Sequence, residues 1–300
     1  MTYISSERLA IREKAHVKLY PEETITDENY SQYRKRLLEG DYNLLSIKIK
    51  DATILEKLNS IKALTLEGRM DLKEIVSFFP ELKTLQLSNI SSNYNIDPII
   101  SFIHLDELRV VNSSFTSYNT MFNVKKLSII GSLIAEDQFK KFPNVEFLTL
   151  GTTRNAHSGG LDNLKNLRGI DLLWEKDGTV HLDDLSSLPD LQALYTFRAS
   201  KLSHLPDLNN CKNFLAISLN ESHKIVDISG LYDAPNLDVV SIVHCRGLRA
   251  ESFYPFKGHP TLRKLYFGSM IKEQEKVMNY FPEIWDSNLL NTEYILPDIN

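Results

Sequence analysis

Cysteine is nearly absent from this 300-residue chain, and glycine and proline are sparse, at 12 and 11 residues. The two cysteines, Cys211 and Cys245, are too few for the disulfide framework of a small secreted domain, although a single bond between them stays open. They lack the paired spacing of a zinc site and belong to no nucleophile motif, so both are expected on an inner wall. A membrane span needs ~20 consecutive apolar residues, and no segment approaches that. The opening stretch MTYISSERLAIREKAH carries Glu7, Arg8, Arg12, Glu13 and Lys14 where a secretory signal keeps an apolar core, which makes the cytoplasm the expected compartment. Positive charge is not in excess either. The formal net charge of −5 argues against phosphate backbones, and so against nucleic acid as a partner. Loops of the G-x-x-x-x-G-K-S/T or G-x-G-x-x-G kind are missing, so neither a cofactor nor an enzymatic activity is expected.

What the chain does contain is a period. An apolar residue, two free positions, a second apolar residue, one free position and a third apolar residue recur along it. The copies are LLSIKI from Leu44, IKALTL from Ile61, LKTLQL from Leu82, LDELRV from Leu105, VKKLSI from Val124 and VEFLTL from Val145. LRGIDL from Leu167, LQALYT from Leu191, FLAISL from Phe214, LDVVSI from Leu237 and LRKLYF from Leu262 bring the total to eleven. Their first residues lie 17 to 25 apart, with a mean of about 22. Of the 33 apolar slots only Thr196 is polar, which marks an expected local defect.

Residues two apart share one side of an extended segment, so the second and third apolar residues of each copy face a common core. One such segment cannot bury that side alone, but copies stacked as parallel strands join their sides into a continuous interior. Roughly 16 residues return the chain from one strand to the next, and apolar pairs spaced by three suit 3₁₀ or short α turns there. These pairs are Ile75 and Phe78, Phe139 and Phe142, Leu185 and Leu188, Ile228 and Leu231, and Phe253 and Phe256.

IVDISGLYDAPNLDVVSI from Ile225 and HLDDLSSLPDLQALYT from His181 share one wording, echoed in FPELKTLQL, FPNVEFLTL and HPTLRKLYF. In each, Pro stands two residues before the strand, where its fixed φ and missing N–H favour leaving the return turn. On these residues the chain resembles the leucine-rich repeat family, in its short-repeat, internalin-like class of bacterial cytoplasmic type. The resemblance covers residues 44–268. It implies an α/β fold, a right-handed horseshoe solenoid with about eleven parallel strands on a concave face and 3₁₀ or short helices on the convex face. It also implies a role in binding proteins. The family's buried asparagine ladder just after the strand has only Asn89 and Asn112 here. Gly131, Thr152, Trp174, Arg198 and Glu221 stand in the comparable place, so irregular loops are expected after the strands.

An open solenoid exposes apolar end faces, so flanking segments should cap it, giving three parts: residues 1–43, 44–268 and 269–300. In the first part RLAI and HVKLY alternate like two short strands. Thr26 or Asp27 then starts a helix through DENYSQYRKRLLE that stops at Gly40. In the last part MIKEQEKVMNYF reads as an amphipathic helix ending before Pro282, with Ile284, Trp285, Leu289 and Leu290 sealing the final coil.

The third, fifth and seventh positions of each copy point away from the core and form three columns on the other side of the sheet. Apolar and aromatic residues gather there in the later coils, as Phe147, Leu173, Tyr195, Phe197, Val243 and Tyr266, with Asp171 among them and Trp174 just past a strand. Arg109, Val111 and Ile130 extend this candidate protein-binding face to earlier coils, where Lys48, Lys50, Lys125 and Lys126 add a mild basic patch. A surface of this kind favours a protein partner on a monomeric scaffold. The alternatives are an inhibitor or immunity protein occluding a toxin or enzyme, and the substrate-recognition part of an enzyme complex such as a ubiquitin ligase. Register also pairs His181 with His204 and His223 with His244, too few ligands to expect a metal. Asp183, Asp184 and Asp227 are placed to cap backbone N–H groups in the return turns.

Overall fold

The computed structural model describes residues 24–68, 70–90, 94–132, 136–151, 160–173 and 182–290. The expected strands RLAI and HVKLY, and with them Thr152, Trp174 and His181, lie outside these described residues. The chain forms two compact units, Met1–Ile134 and Ala135–Asn300.

In the first unit β1 (Ile25–Thr26), β2 (Leu44–Lys48), β3 (Ala63–Glu67), β4 (Thr84–Ser88), β6 (Glu107–Val111) and β8 (Lys126–Ile130) pair in that order, each parallel to the next. A second parallel pair, β5 (Tyr94–Asn95) with β7 (Phe115–Thr116), forms in the return segments. In the second unit β9 (Phe147–Gly151), β10 (Gly169–Leu173), β11 (Ala193–Phe197), β12 (Ala216–Asn220), β13 (Val239–Val243) and β14 (Lys264–Gly268) repeat the arrangement. Each of the eleven expected copies supplies one strand, and β1 adds another. The alternation works as the period requires: Leu108 with Val110, and Ile217 with Leu219, turn inward and are fully buried.

The return segments carry the opposite wall of the core. α2 (Leu72–Phe78) starts at Asp71, whose carboxylate accepts from Lys73 N at 2.9 Å, and 3₁₀ turns follow at Glu136–Lys141, Leu182–Ser187 and Ala250–Phe256. Phe139, Phe142, Leu185, Leu188, Ile228, Leu231, Phe253 and Phe256 are all buried as expected. Phe78 is only half-buried, because α2 ends there and hands the core position to Phe79. Asp227 Oδ1 accepts from Ser229 N at 2.8 Å, the capping role foreseen for it, and this bond with the Ser229 hydroxyl holds its carboxyl below the usual range.

Two expectations about regularity change. Leu44 pairs with Ala63 and Ile47 with Leu66, so the first copy runs YNLLSI from Tyr42, two residues earlier than the sequence pattern suggested. Ser46 and Lys48, rather than Lys48 and Lys50, therefore hold its fifth and seventh positions. Thr196 is no defect. It is fully buried, and its hydroxyl lies 2.9 Å from that of Ser222 in the next coil, which satisfies both groups.

Among the described residues the corners after the strands are regular, by a different device from an asparagine ladder. Asn89, Asn112, Gly131, Arg198, Glu221 and His244 all turn the chain at positive φ, between 48° and 63°. In the ungapped coils the N–H of this corner residue donates to the seventh-position carbonyl one coil on, as Arg198 does to Asn220 O at 2.9 Å and Glu221 to Val243 O at 2.9 Å. The residue after the corner is small and polar in several coils. Ser113 Oγ accepts from Ile90 N, Ser132 Oγ from Ser113 N and Ser222 Oγ from Ala199 N, while Cys245 Sγ lies 3.7 Å from Leu219 O. A buried hydroxyl thus does what a longer carboxamide does elsewhere, satisfying backbone donors between coils. At the other end of the strands, Asn123, Asn166, Asn213 and Asn236 donate through Nδ2 to carbonyls of the preceding coil at 2.6 to 3.2 Å.

Helical segments flank the strands before β2 and after β14. α1 (Tyr30–Leu38) stops at Gly40, φ +74°, as expected, but begins later than expected at Asn29. Asp27 does not cap it; its carboxylate instead accepts from Lys50 N and Asp51 N of the first coil. α3 (Ile271–Tyr280) buries Val277, and Glu273 Oε2 accepts from Ala250 N at 2.9 Å. Beyond it Leu265 N donates to Ile284 O at 2.8 Å and Asp286 N to Leu265 O at 3.1 Å, so the outer edge of β14 is paired rather than open.

Candidate interaction face

Register decides which side chains meet on the free side of the sheet. In the first unit Gln86, Arg109 and Ser128 align on adjacent strands, flanked by Thr84, Glu107 and Lys126 and by Ser88, Val111 and Ile130. This surface is polar and internally paired. Arg109 Nε donates to Glu107 Oε1, Thr84 Oγ1 donates to Glu107 Oε2 at 3.2 Å, and Gln86 Nε2 donates to Ser88 Oγ at 2.9 Å. Arg109 is mostly covered by this arrangement, while Val111 and Ile130 keep partial exposure side by side.

In the second unit Thr149, Asp171, Tyr195, Ser218, Ser241 and Tyr266 form the middle column. Phe147, Gly169, Ala193, Ala216, Val239 and Lys264 form the third-position column, and Gly151, Leu173, Phe197, Asn220, Val243 and Gly268 the seventh. Phe147, Asp171, Leu173 and Tyr195 lie on three successive strands and remain half-exposed, and Thr149 Oγ1 reaches Asp171 Oδ2 at 3.5 Å. These residues are brought together as expected.

Three others are not free surface. Phe197 is 8% exposed, with the Arg198 guanidinium carbon 5.0 Å above its ring. Val243 is 9% and Tyr266 4% exposed, because the C-terminal segment crosses them. Trp285 packs at 5.1 Å from the Tyr266 ring, Leu289 joins Val239, Val243 and Tyr266 in one apolar cluster, and Ser241 Oγ donates to Leu289 O at 3.4 Å. Burial pushes the Tyr266 hydroxyl pKa up. The segment expected to seal the last coil therefore also reaches over the free side of β13 and β14, a contact that no sequence period records.

Both cysteines are unbonded and buried; burial raises the Cys211 pKa and pushes that of Cys245 up to about 12. Among the described residues no three His, Cys, Asp or Glu side chains are placed to hold a metal ion, and no helix is long and apolar enough to cross a membrane. His204 stands 4.0 Å from Asp183, and His223 Nδ1 lies 2.6 Å from His244 O, a backbone contact rather than a pair of imidazoles. A polar depression lined by Glu146, Asn166, Arg168, Asp190 and Gln192 is occupied by its own pairings, Arg168 Nη1 lying 3.5 Å from Glu146 Oε2.

No protein-family model matches the sequence. No curated protein matches it either. Among solved structures the chain is similar to an internalin from Listeria monocytogenes, with 14% identity over 76% of this chain and 75% of that one and a TM-score of 0.41. It is also similar to a leucine-rich repeat protein of Leptospira interrogans, with 12% identity over 88% of this chain and 100% of that one and a TM-score of 0.39. A third is the plant peptide hormone receptor RGFR1 in complex with RGF2, with 14% identity over 77% of this chain, 48% of that one and a TM-score of 0.38.

Proposed function

We propose, from this coil geometry, that the chain is a leucine-rich repeat protein acting as a non-catalytic scaffold that holds a protein partner on the free side of the second unit's sheet. The observation that carries this reading is the half-exposed group of Phe147, Leu173 and Tyr195 around Asp171, set on three parallel strands paired in register. Aromatic and aliphatic side chains on a fixed scaffold lose little entropy on contact, and a single acid among them supplies orientation. Arg109, Val111 and Ile130 of the first unit form a smaller polar and apolar surface on which the same kind of contact is proposed. Catalysis through a cysteine is disfavoured, since both thiols are buried and their raised pKa values keep them protonated at neutral pH. Unbonded cysteines fit a monomer in a reducing cytoplasm.

Affinity capture with the native chain and with a Leu173→Glu/Tyr195→Glu variant tests the reading. The native chain should retain at least one protein in stoichiometric amount, and the variant should lose it while keeping the same circular dichroism spectrum. Equal retention by both chains would remove this face from consideration.

A further inference from the structure

The free side of the first unit's sheet holds a charged pair that the core does not need. Glu107 and Arg109 stand two apart on β6, both turned away from the interior, yet their side chains keep only 7% and 15% exposure. Both oxygens of Glu107 are engaged: Oε1 accepts from Arg109 Nε, and Oε2 accepts from Thr84 Oγ1 at 3.2 Å. Arg109 is only partly engaged. A guanidinium carries five N–H donors, and among the described residues only the one on Nε has a partner. The donors on Nη1 and Nη2 are thus held in place, largely out of water and unused.

Pairing in register places the groups around those donors. Arg109 aligns with Gln86 on β4, whose amide donates to Ser88 Oγ at 2.9 Å, and with Ser128 on β8. The Ser128 hydroxyl, half-buried on that adjacent strand, has no hydrogen-bond partner among the described residues and adds one more donor. Val111 and Ile130, two places farther along the same strands, form a half-buried apolar pair. Lys126 stands across from Glu107 on β8, so Arg109 and Lys126 against Glu107 leave this group with a net charge of +1. A single carboxylate balances that charge, whereas a phosphate dianion exceeds it. A salt bridge kept only for packing would be replaceable by an apolar pair of like volume and would need no spare donors. Because Glu107 fixes the guanidinium, an incoming acid gains a bidentate contact without having to order the arginine.

We propose that Arg109 and Ser128 form a carboxylate-binding subsite, which takes a glutamate or aspartate side chain of the protein partner while an aliphatic neighbour of that acid covers Val111 and Ile130. This subsite rests on the reading of the sheet's free side as a protein-binding face. It gives the first unit's contact a definite chemistry, an acid next to an aliphatic residue, and assigns Arg109 to orientation and selectivity.

Two measurements on the full chain test it, and neither needs the partner. In the first, the probe is the blocked amino acid N-acetylglutamate N-methylamide, with its glutamine counterpart as the neutral control. Nuclear magnetic resonance of arginine side-chain N–H groups reports contact, the Arg109 Nε signal being assigned by its loss in Arg109→Lys. That signal should move saturably with the glutamate probe, and about fivefold farther than with the glutamine one. Arg34, an exposed arginine paired to Glu56, should move far less. Equal movement for the two probes, or for the two arginines, overturns the proposal, and a larger response to inorganic phosphate overturns the choice of a carboxylate. The second measurement installs the acid in the chain itself. Ser128→Asp should fill the subsite, so that probe binding weakens about tenfold while the melting temperature holds or rises. A lowered melting temperature with the Arg109 signal in its native position would mean that the new carboxylate repels Glu107 without finding spare guanidinium donors, which also overturns the proposal. Saturable probe binding in a chain that captures no protein refutes the scaffold reading and leaves the subsite; capture of a protein with the Arg109 signal unmoved by the probe does the reverse.

Discussion

Replacing Ser222 with alanine tests the idea that buried hydroxyls tie these coils together. Ser222 is fully buried; its Oγ accepts from Ala199 N at 3.3 Å and lies 2.9 Å from Thr196 Oγ1. Ser222→Ala leaves an amide donor and a hydroxyl without partners inside the core. Each of the two orphaned groups costs ~1–3 kcal/mol, so the variant should lose about 2–6 kcal/mol. Thr196→Val removes the second hydroxyl at nearly constant volume while Ser222 keeps its bonds to Ala199 N and to Asn220 O, so it should cost only about 1 kcal/mol. In the double variant the threonine hydroxyl is no longer there to be orphaned, and the combined loss should fall short of the sum by about 1 kcal/mol. Urea unfolding followed by far-ultraviolet circular dichroism, with midpoints and slopes compared across the four chains, measures this. A loss under about 0.5 kcal/mol in Ser222→Ala, or strict additivity, would show that the loops are held by something else.

Further outcomes follow from close approaches and from titration. A Cβ on Gly247 would lie 2.2 Å from Ile225 O of the preceding coil, whereas one on Gly68, at φ +89°, meets nothing within 4 Å. Gly247→Ala should therefore lower stability by about 2–3 kcal/mol through forced coil separation. Gly68→Ala should cost only about 1 kcal/mol of backbone strain, and equal melting shifts for the two would contradict the stacking described. The Cys245 thiol keeps its proton to about pH 12 in the folded chain against an ordinary value of 9.0, so the stability it contributes is full below pH 9.0 and declines as pH rises toward 12. Cys245→Ala should lessen that alkaline loss, and in the native chain at pH 8 neither cysteine should react with a thiol reagent until urea is added; prompt labelling would refute the burial. Asp227 has the opposite sign: its lowered value stabilises the fold above the ordinary 3.8 and ceases to do so as pH falls through the folded value. The stability gap between native and Asp227→Asn chains should accordingly be larger at pH 7 than at pH 2.5.

Much of the architecture was legible because it is written in short-range periodicity. Leucines two apart name a strand face wherever they occur, and apolar pairs three apart name a return turn. The first copy went out of register by two because Tyr42, Leu45 and Ile47 fit the pattern as well as Leu44, Ile47 and Ile49 do, and only pairing with Ala63 and Leu66 decides between them. The loop device does not show at the corner residue itself; the bonding group stands one place later, at Ser113, Ser132 and Ser222. The asparagines just before the strands were visible as a recurring letter at 123, 166, 213 and 236, and a search one place ahead of each copy would have found them. Phe147, Asp171, Leu173 and Tyr195 were located by alternation alone. That Val243 and Tyr266 are roofed by Leu289 and Trp285 depends on a contact between residues far apart in sequence, which no period records.

The corner residues carry one more implication. At 112, 198, 221 and 244 the turn is clamped by its own amide to the neighbouring coil, which holds asparagine, arginine, glutamate and histidine alike at equivalent sites of positive φ. In the second unit the strand ends at 198, 221 and 244 thus carry one side chain on each of three adjacent coils. Exchanging the side chains at these three sites should therefore leave the stack beneath them in place.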